Sequence, residues 1–390
     1  MQRDRVILHL SLIDGIGPAT VNTIVTNKHP DITWHDLYHF TQHDWCSIGI
    51  SAKSATKLVV GLSDTALLEK EFELIEKHGI KWTTCLQETY PALLSHIHVP
   101  PTVLYFKGAA FDEYQKMIAI IGSRKADKYA QQVINSLVPP LVVNGWSVVS
   151  GGAIGADSMA HAATLAVNGK TIVVLGSGLL QPYPRSNKYL FDQVVENGGT
   201  LVSSFPLAMA ALAGNFPARN RIIAGLSKGC IVVQAAHKSG ASITAQYALD
   251  EGRDVFAIPG MIDHELSVGC HALIKEGAQL VTSAEDVLRE LGETMVFKVV
   301  SPSKIGIENQ IEPKDQHGYK PAHVVPKKLS SDYVPTQIQA KILLACAKPT
   351  SIDDLAQQLA MPLSELQALM FDLQLEGVIE QNFAGQWVAR

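Results

Sequence analysis

MIAIIGSRKADKYAQQVINSLVPPLVVNGWSVVSGGAIGADS, residues 117–158, carries the two unlike periods that decide the fold. The runs MIAIIG and WSVVSG are continuously apolar and β-rich, whereas YAQQVINSLVPPLV between them has a helical pattern. A strand that is apolar on both faces must be covered on both, which a sheet open to water on one side does not provide. The beat continues through TIVVLG (171–176), GTLVSSF (199–205), GCIVVQA (229–235), DVFAIPG (254–260) and AQLVTS (278–283), spaced by about 25–30 residues. Most intervals hold a helical pattern, such as ASITAQYALDEG. The expected class is α/β, an extended Rossmann-like, doubly wound and mostly parallel sheet.

Working outward, residues 1–85 read as an N-terminal helical domain of SAM/helix-hairpin-helix type, 86–297 as the Rossmann-like domain, 298–332 as a linker and 333–390 as a winged helix. In the first, GIGPATVNTIV (15–25) and GISAKSATKLV (49–59) form a weak repeat of Gly-bearing turns opening helices. Turn amides of such pairs can hold a phosphate, or the module can serve packing and dimer support. The linker is rich in Pro, Lys and polar residues without periodicity. Beyond it, three helical stretches and a small hairpin spell a winged helix. Its third helix, 364–376, presents Ser364, Glu365, Gln367, Asp372 and Glu376 with no Lys or Arg. A helix for the major groove needs cations for the phosphates, so protein contact is expected there.

The 390 residues are 47% hydrophobic and 18% charged, which suits several globular modules and excludes disorder as the overall state. No apolar run reaches the ~18 residues of a membrane helix, and the start MQRDRVILHLSLIDG lacks a secretory cleavage pattern, so a cytoplasmic location without membrane partners is expected. Five scattered cysteines without C-x-x-C argue for reduced thiols, with no disulfides, structural metal or cofactor. The net charge of −5 conceals an asymmetry: residues 118–249 carry 10 basic against 4 acidic side chains.

Parallel sheets bind ligands beyond the carboxyl ends of their strands, where loops enter helix N-termini. Those loops are rich in glycine, serine and arginine. In GSRKADK, Gly122 ends a strand, Ser123 is placed to cap the next helix, and Arg124 would complete a phosphate seat or be an ordinary surface arginine. In SGGAIGADS, Gly151, Gly152 and Gly155 permit an anion-binding nest, or else a tight turn with Asp157 as helix cap. HKSGAS sets Lys238, Ser239 and Gly240 at another helix start. NFPARNRIIAGLS (215–227) offers Arg219, Asn220 and Arg221 with no carboxylate in the stretch. If 220–227 is helical the two arginines do not share a face, so one contacts ligand while the other braces a loop. Tyr183 and Phe216 are candidate base-stacking rings or rim packing. Four such loops exceed the needs of one pyrophosphate, and the first turn lacks the G-x-G-x-x-G of a dinucleotide site.

The ordered set MIAIIGSRKADKYA, WSVVSGGAIGADSMAH, TIVVLGSGLLQPYPRSNKYL, FPARNRIIAGLS, KSGASITAQYALDEGRDVFAIPG and GCHALIKEGAQLV, preceded by YPALLSHIHVPPTVLYFKG, resembles the DNA-processing protein A family (DprA, also called Smf) over about residues 88–290. The resemblance implies a non-catalytic single-stranded DNA mediator of natural transformation and recombination. Such a protein protects incoming strands, loads the RecA recombinase and forms a homodimer through the Rossmann-like domain. It also implies that Arg124, Lys238, the 151–155 loop and Arg219 or Arg221 hold the strand. The chain departs from the family pattern at Ile154, where arginine is usual, and at Ser204 and Gln234, where acids are usual. The alternative is a nucleotide-hydrolysing enzyme of the lysine decarboxylase-like group. Its P-G-G-x-G-T-x-x-E glutamate has no counterpart in HKSGASITAQ, where Ala245 and Gln246 stand.

Overall fold

The computed structural model describes residues 2–237, 239–295, 337–346, 350–359, 361–362, 366, 369–370, 373, 379–381 and 387–389. The linker expected at 298–332 and the five polar residues of the third winged-helix segment lie outside them. The chain divides into two compact units, Met1–Ile307 and Glu308–Arg390.

The first unit opens with five helices: α1 (Gln2–Leu12), α2 (Pro18–Asn27), α3 (Gln42–Ser47), α4 (Ala52–Ser63) and α5 (Thr65–His78). The two repeats open α2 and α4 after turns in which Gly15 and Gly49 take positive φ. Then come β1 (Lys81–Thr84), α6 (Ala92–Ser95), β2 (Val103–Gly108) and β3 (Lys116–Ile121). The alternating series follows as α7 (Lys128–Val143), β4 (Trp146–Ser150), α8 (Ala156–Ala166), β5 (Thr171–Val174), α9 (Lys188–Glu196), β6 (Thr200–Ser203) and α10 (Asn215–Leu226). It closes with β7 (Gly229–Val232), α11 (Gly240–Asp250), β8 (Asp254–Ala257), α12 (Val268–Lys275), β9 (Gln279–Leu280) and α13 (Ala284–Glu290).

All seven expected strands fall where the apolar runs lie, and they join one nine-stranded sheet in the order β1-β2-β6-β5-β4-β3-β7-β8-β9. Strands β3 to β9 pair in parallel, while β1 and β2 are joined antiparallel at the β6 edge. The sheet is the expected doubly wound, mostly parallel one. Alternate residues of β3 feed opposite layers: Ile118 and Ile120 pack with α7, α8 and α13, whereas Met117, Ala119 and Ile121 pack with α10 and α11. Each buried isoleucine or methionine among them contributes ~1.5–3 kcal/mol. The N-terminal helices are continuous with the sheet, because Val6, Leu10 and Trp45 share a core with Tyr105, Val173 and Leu207.

The winding fixes where a ligand can enter. From β3 the chain steps outward through β4, β5 and β6, then returns to place β7 on the other flank of β3. The helices leaving β3 and β7 therefore diverge to opposite faces and open a crevice at their carboxyl ends.

In the second unit, α14 (Gln337–Ala345), α15 (Ile352–Leu359) and the antiparallel pair β10 (Ile379–Gln381) and β11 (Trp387–Ala389) pack around Ile342, Leu355, Leu366, Met370, Leu373 and Ile379. Helices followed by a small hairpin make the expected winged-helix plan.

Candidate functional site

The crevice between the ends of β3 and β7 holds a cleft of about 570 Å³. Its walls bring together Gly122, Ser123 and Arg124 from the first loop, Phe216, Arg219 and Asn220 from α10, and Ser239 and Gly240 from the start of α11. A smaller hollow of about 40 Å³ adds Gly151, Ile154 and Tyr183 beside the same Arg124, Phe216 and Arg219. Loops that are far apart in sequence thus meet at one rim. Arg221 is not among the residues of either hollow: its guanidinium lies over the Tyr247 ring at 5.1 Å, joining α10 to α11. Lys238 lies outside the described residues.

The first loop is built differently from the sequence expectation. Ser123 does not cap the next helix, which begins only at Lys128 with Asp127 accepting from the amides of Tyr129 and Ala130. Ser123 instead stabilises a turn, its Oγ accepting from the Lys125 amide at 3.0 Å. Asp127 also receives the Gln234 side chain at 3.0 Å while its own amide donates back to Gln234 Oε1 at 3.2 Å. Burial works against the Asp127 charge, but these donors hold the carboxyl below its usual range. Gln234, a departure from the family pattern, is therefore a reciprocal brace between β7 and α7. Arg124 and its neighbour Lys125 remain exposed at the mouth. Lys125 went unremarked in sequence although it adjoins Arg124.

The glycine loop rests directly on that turn. Gly155 has φ of +85°, and a Cβ there would collide with the carbonyls of Ser123 and Arg124. Asp157 lies inside α8 rather than at its cap, which is Gly155. Its carboxylate accepts from the amides of Gly151 at 3.2 Å and Ala153 at 3.3 Å. The nest read from SGGAIG is thus partly filled by the protein's own anion, and those two amides are not offered to a ligand.

The carboxylate missing from the NFPARNR stretch is this same Asp157. Helix α10 begins at Asn215 and not at 220, so Arg219 falls in phase with Ile222, Ile223 and Leu226 and is only 5% exposed. Its Nη1 stands 3.9 Å from Asp157 Oδ2 and donates to Val174 O at 3.4 Å. The guanidinium occupies the place a Gly151 Cβ would need. Burial pushes the Asp157 carboxyl above its usual range against the pull of Arg219, and burial likewise lowers the Arg219 guanidinium. His161, one turn further along α8, is wholly buried. Thr171 Oγ1 gives its proton to Val148 O at 2.7 Å, so it accepts from His161 Nδ1 at 2.7 Å; with Nε2 buried and without a partner, the ring is the neutral Nδ1–H tautomer. Burial, with Arg219 adding to it, lowers the His161 pKa to about 3.

Over this buried cluster lies the aromatic part of the rim. The Phe216 ring is approached by Arg124 at 5.5 Å and by Arg219 at 5.8 Å, and Tyr183 tilts toward it at 5.8 Å. Tyr183 is 46% exposed and Ile154 53% exposed, an apolar pair open to solvent beside cations. At the enzyme-like positions, Ala245 is buried and the Gln246 side chain turns to Asp250 at 2.8 Å. The carboxylates of the cleft are Asp157, sequestered as above, and Glu265 at the exposed margin. The thiols of Cys230, Cys270 and Cys346 are buried, Cys85 is half-buried and Cys46 is exposed.

Residues 81–292 match the family described as DNA recombination-mediator protein A, and residues 335–383 match the one described as DprA winged helix domain. The chain is 35% identical to Protein Smf of Synechocystis sp. over 333 residues, covering 80% of this chain and 81% of that one. It is 44% identical over 227 residues to DNA processing protein DprA of Streptococcus pneumoniae, covering 58% of this chain and 78% of the relative. The X-ray structure of DNA processing protein A from Streptococcus pneumoniae superposes with a TM-score of 0.63 at 35% identity, spanning 76% of this chain and 99% of that one.

Proposed function

The chain belongs to the DNA recombination-mediator protein A family, and on that premise we propose that its cleft grips single-stranded DNA during recombination and DNA uptake. The observation that carries this reading is the convergence at one rim of exposed Arg124 and Lys125, the rings of Phe216 and Tyr183, and the start of α11. Cations there meet phosphates, and Ser239 and Gly240 present a helix terminus that favours an anion. Tyr183 and Phe216 offer faces to bases, and only an unpaired strand can turn its bases toward them. An incoming base meets Tyr183 directly and competes with Arg124 for the Phe216 ring.

The role is that of a binding protein without chemistry of its own, acting in the cytoplasm. It shields the incoming strand and delivers it to the RecA recombinase. Two copies joined through the Rossmann-like domain would hold a longer tract, and each contact would then gain from the other's tethering. Among the described residues no helix is long and apolar enough to cross a membrane.

The test is a salt series of oligo-dT against duplex DNA of equal length. The single strand is expected to bind more tightly, with log K falling by about 0.7 per unit of log salt for each phosphate neutralised. Arg124→Ala should weaken binding for every sequence alike and flatten that slope by about 0.7. Equal affinity for the duplex would overturn the reading.

A further inference from the structure

We propose that Glu71, on the N-terminal helix α5, is a positioning residue for the strand-binding rim, through its hold on the loop that delivers α10. The proposal rests on the single-strand reading above and deepens it, because it gives the helical module a share in binding without contact to the ligand.

Glu71 is 6% exposed. Its Oε1 accepts from the backbone amide of Leu207 at 2.8 Å, across 136 residues of sequence. The Tyr105 hydroxyl stands beside the carboxylate without a hydrogen bond of good geometry, and burial pushes the carboxyl above its usual range while the Leu207 amide pulls it down. A buried carboxylate is costly to keep unless its partners need it, so what it holds is informative.

What it holds is the connection between β6 and α10. Leu207 is fully buried, and its carbonyl accepts from the Leu180 amide at 3.0 Å. Two residues on, the Met209 carbonyl accepts from Gly178 at 2.8 Å. Ser203 Oγ secures the loop's beginning, donating to Ser177 O at 2.7 Å. Asn215, the first residue of α10, donates through its side chain to Gly176 O at 3.2 Å. Phe216 follows at once, its ring against Gly176. The loop is therefore clamped between the 175–181 segment on one side and Glu71 on the other, and the entry of α10 inherits its position. Phe216, Arg219 and Asn220 all stand within the first two turns after that entry. The 175–181 segment is part of the same Rossmann-like layer; from the N-terminal module the loop receives the apolar core that Leu207 shares with α1 and the Glu71 hydrogen bond, which fixes its backbone.

The experiment uses the full chain with Glu71→Ala and Glu71→Gln, and reads four things: oligo-dT affinity across a salt series, the active fraction by titration, thermal unfolding, and amide exchange along 205–221. Glu71→Ala is expected to lose about tenfold in oligo-dT affinity, the scale of one buried charge-assisted hydrogen bond partly transmitted. The slope of log K against log salt should stay as in the parent chain, because no phosphate contact is removed. Exchange should quicken at Leu207 and Met209 and through the first turn of α10, while strands β4 and β5 keep their protection. Glu71→Gln retains an acceptor for the Leu207 amide and should recover most of the lost affinity. A lowered active fraction with parental affinity in the folded remainder would make Glu71 a stability residue only and overturn the proposal. So would full affinity in Glu71→Ala with the loop visibly loosened. If the parent chain itself fails to bind oligo-dT, it is the single-strand reading that falls. The positioning claim is then decided by exchange alone: unchanged protection over 215–221 in Glu71→Ala refutes it, and selective loosening there sustains it.

Discussion

Replacing Arg219 should injure the fold far more than it injures the phosphate contacts, and the size of the effect follows from what the side chain leaves behind. In Arg219→Met the volume is roughly kept, but the guanidinium beside Asp157 and the donor to Val174 O are lost. Asp157 is then a carboxylate without its counter-charge, still fixed by the amides of Gly151 and Ala153. Breaking a buried pair by removing one partner costs about 3–5 kcal/mol, which is a large part of the ~5–15 kcal/mol that holds an ordinary domain together. Asp157→Asn in the same chain removes the stranded charge and keeps an acceptor for the two amides. The double variant should therefore recover about 2 kcal/mol relative to the sum of the single changes, the sign of direct coupling. Urea unfolding of the parent, both single variants and the double variant gives the cycle. Oligo-dT titrations on the folded proteins, at several salt concentrations, give the binding side. If Arg219→Met unfolds within 1 kcal/mol of the parent while its salt slope drops by about 0.7, Arg219 neutralises a phosphate and the buried-brace argument is wrong.

Two further outcomes follow. Tyr183→Ala removes an exposed ring, so oligo-dT affinity should fall by about 1–3 kcal/mol with stability and salt slope unchanged; a changed slope would mean the ring only shapes the cationic loop. His161, with a folded-state pKa of about 3, stays neutral where the unfolded chain would take a proton near 6.5. Its contribution is complete above pH 6.5 and is lost as pH falls toward 3, about 2 kcal/mol by pH 5. His161→Gln should flatten that limb of the stability curve measured by urea between pH 8 and pH 5, and an unaltered limb would refute the assignment.

The sheet was legible because parallel strands buried on both faces leave continuous apolar runs, and each of MIAIIG, WSVVSG and TIVVLG became a strand. The antiparallel edge was not, since KWTT in β1 has neither length nor clear alternation, and only pairing with β2 makes it a strand. The fate of Arg219 was written in the sequence but in a different phase. Placing the start of the helix at 220 hides the stripe 219, 222, 223, 226, whereas starting it at Asn215 puts Arg219 on the buried face with the isoleucines. Asp157 likewise shares a stripe with Ala160, His161 and Thr164 on α8. A charged residue on each of two apolar stripes is the local trace of an ion pair; that the stripes face one another depends on sheet order, which spacing does not encode.

This division between the two kinds of arginine bears on how a strand is held. With Arg219 matched by Asp157, the free positive charge of the cleft rests on Arg124 and Lys125 among its described lining residues. Two cations at the mouth account for a salt slope of only about 1.4 per protomer. If the rim holds a single strand as proposed, electrostatics on that scale would draw the polynucleotide in more than it would retain it at physiological salt. On the proposed single-strand reading, retention would then come from terms that salt does not screen: the rings of Tyr183 and Phe216 and, in the proposed dimer, the tethering of one copy's contacts to the other's. The buried cluster would serve those terms: Asp157 and Arg219 tie the glycine loop to the base of α10, beneath the Phe216 ring toward which Tyr183 tilts at 5.8 Å, so the two faces are set together rather than as two independent side chains.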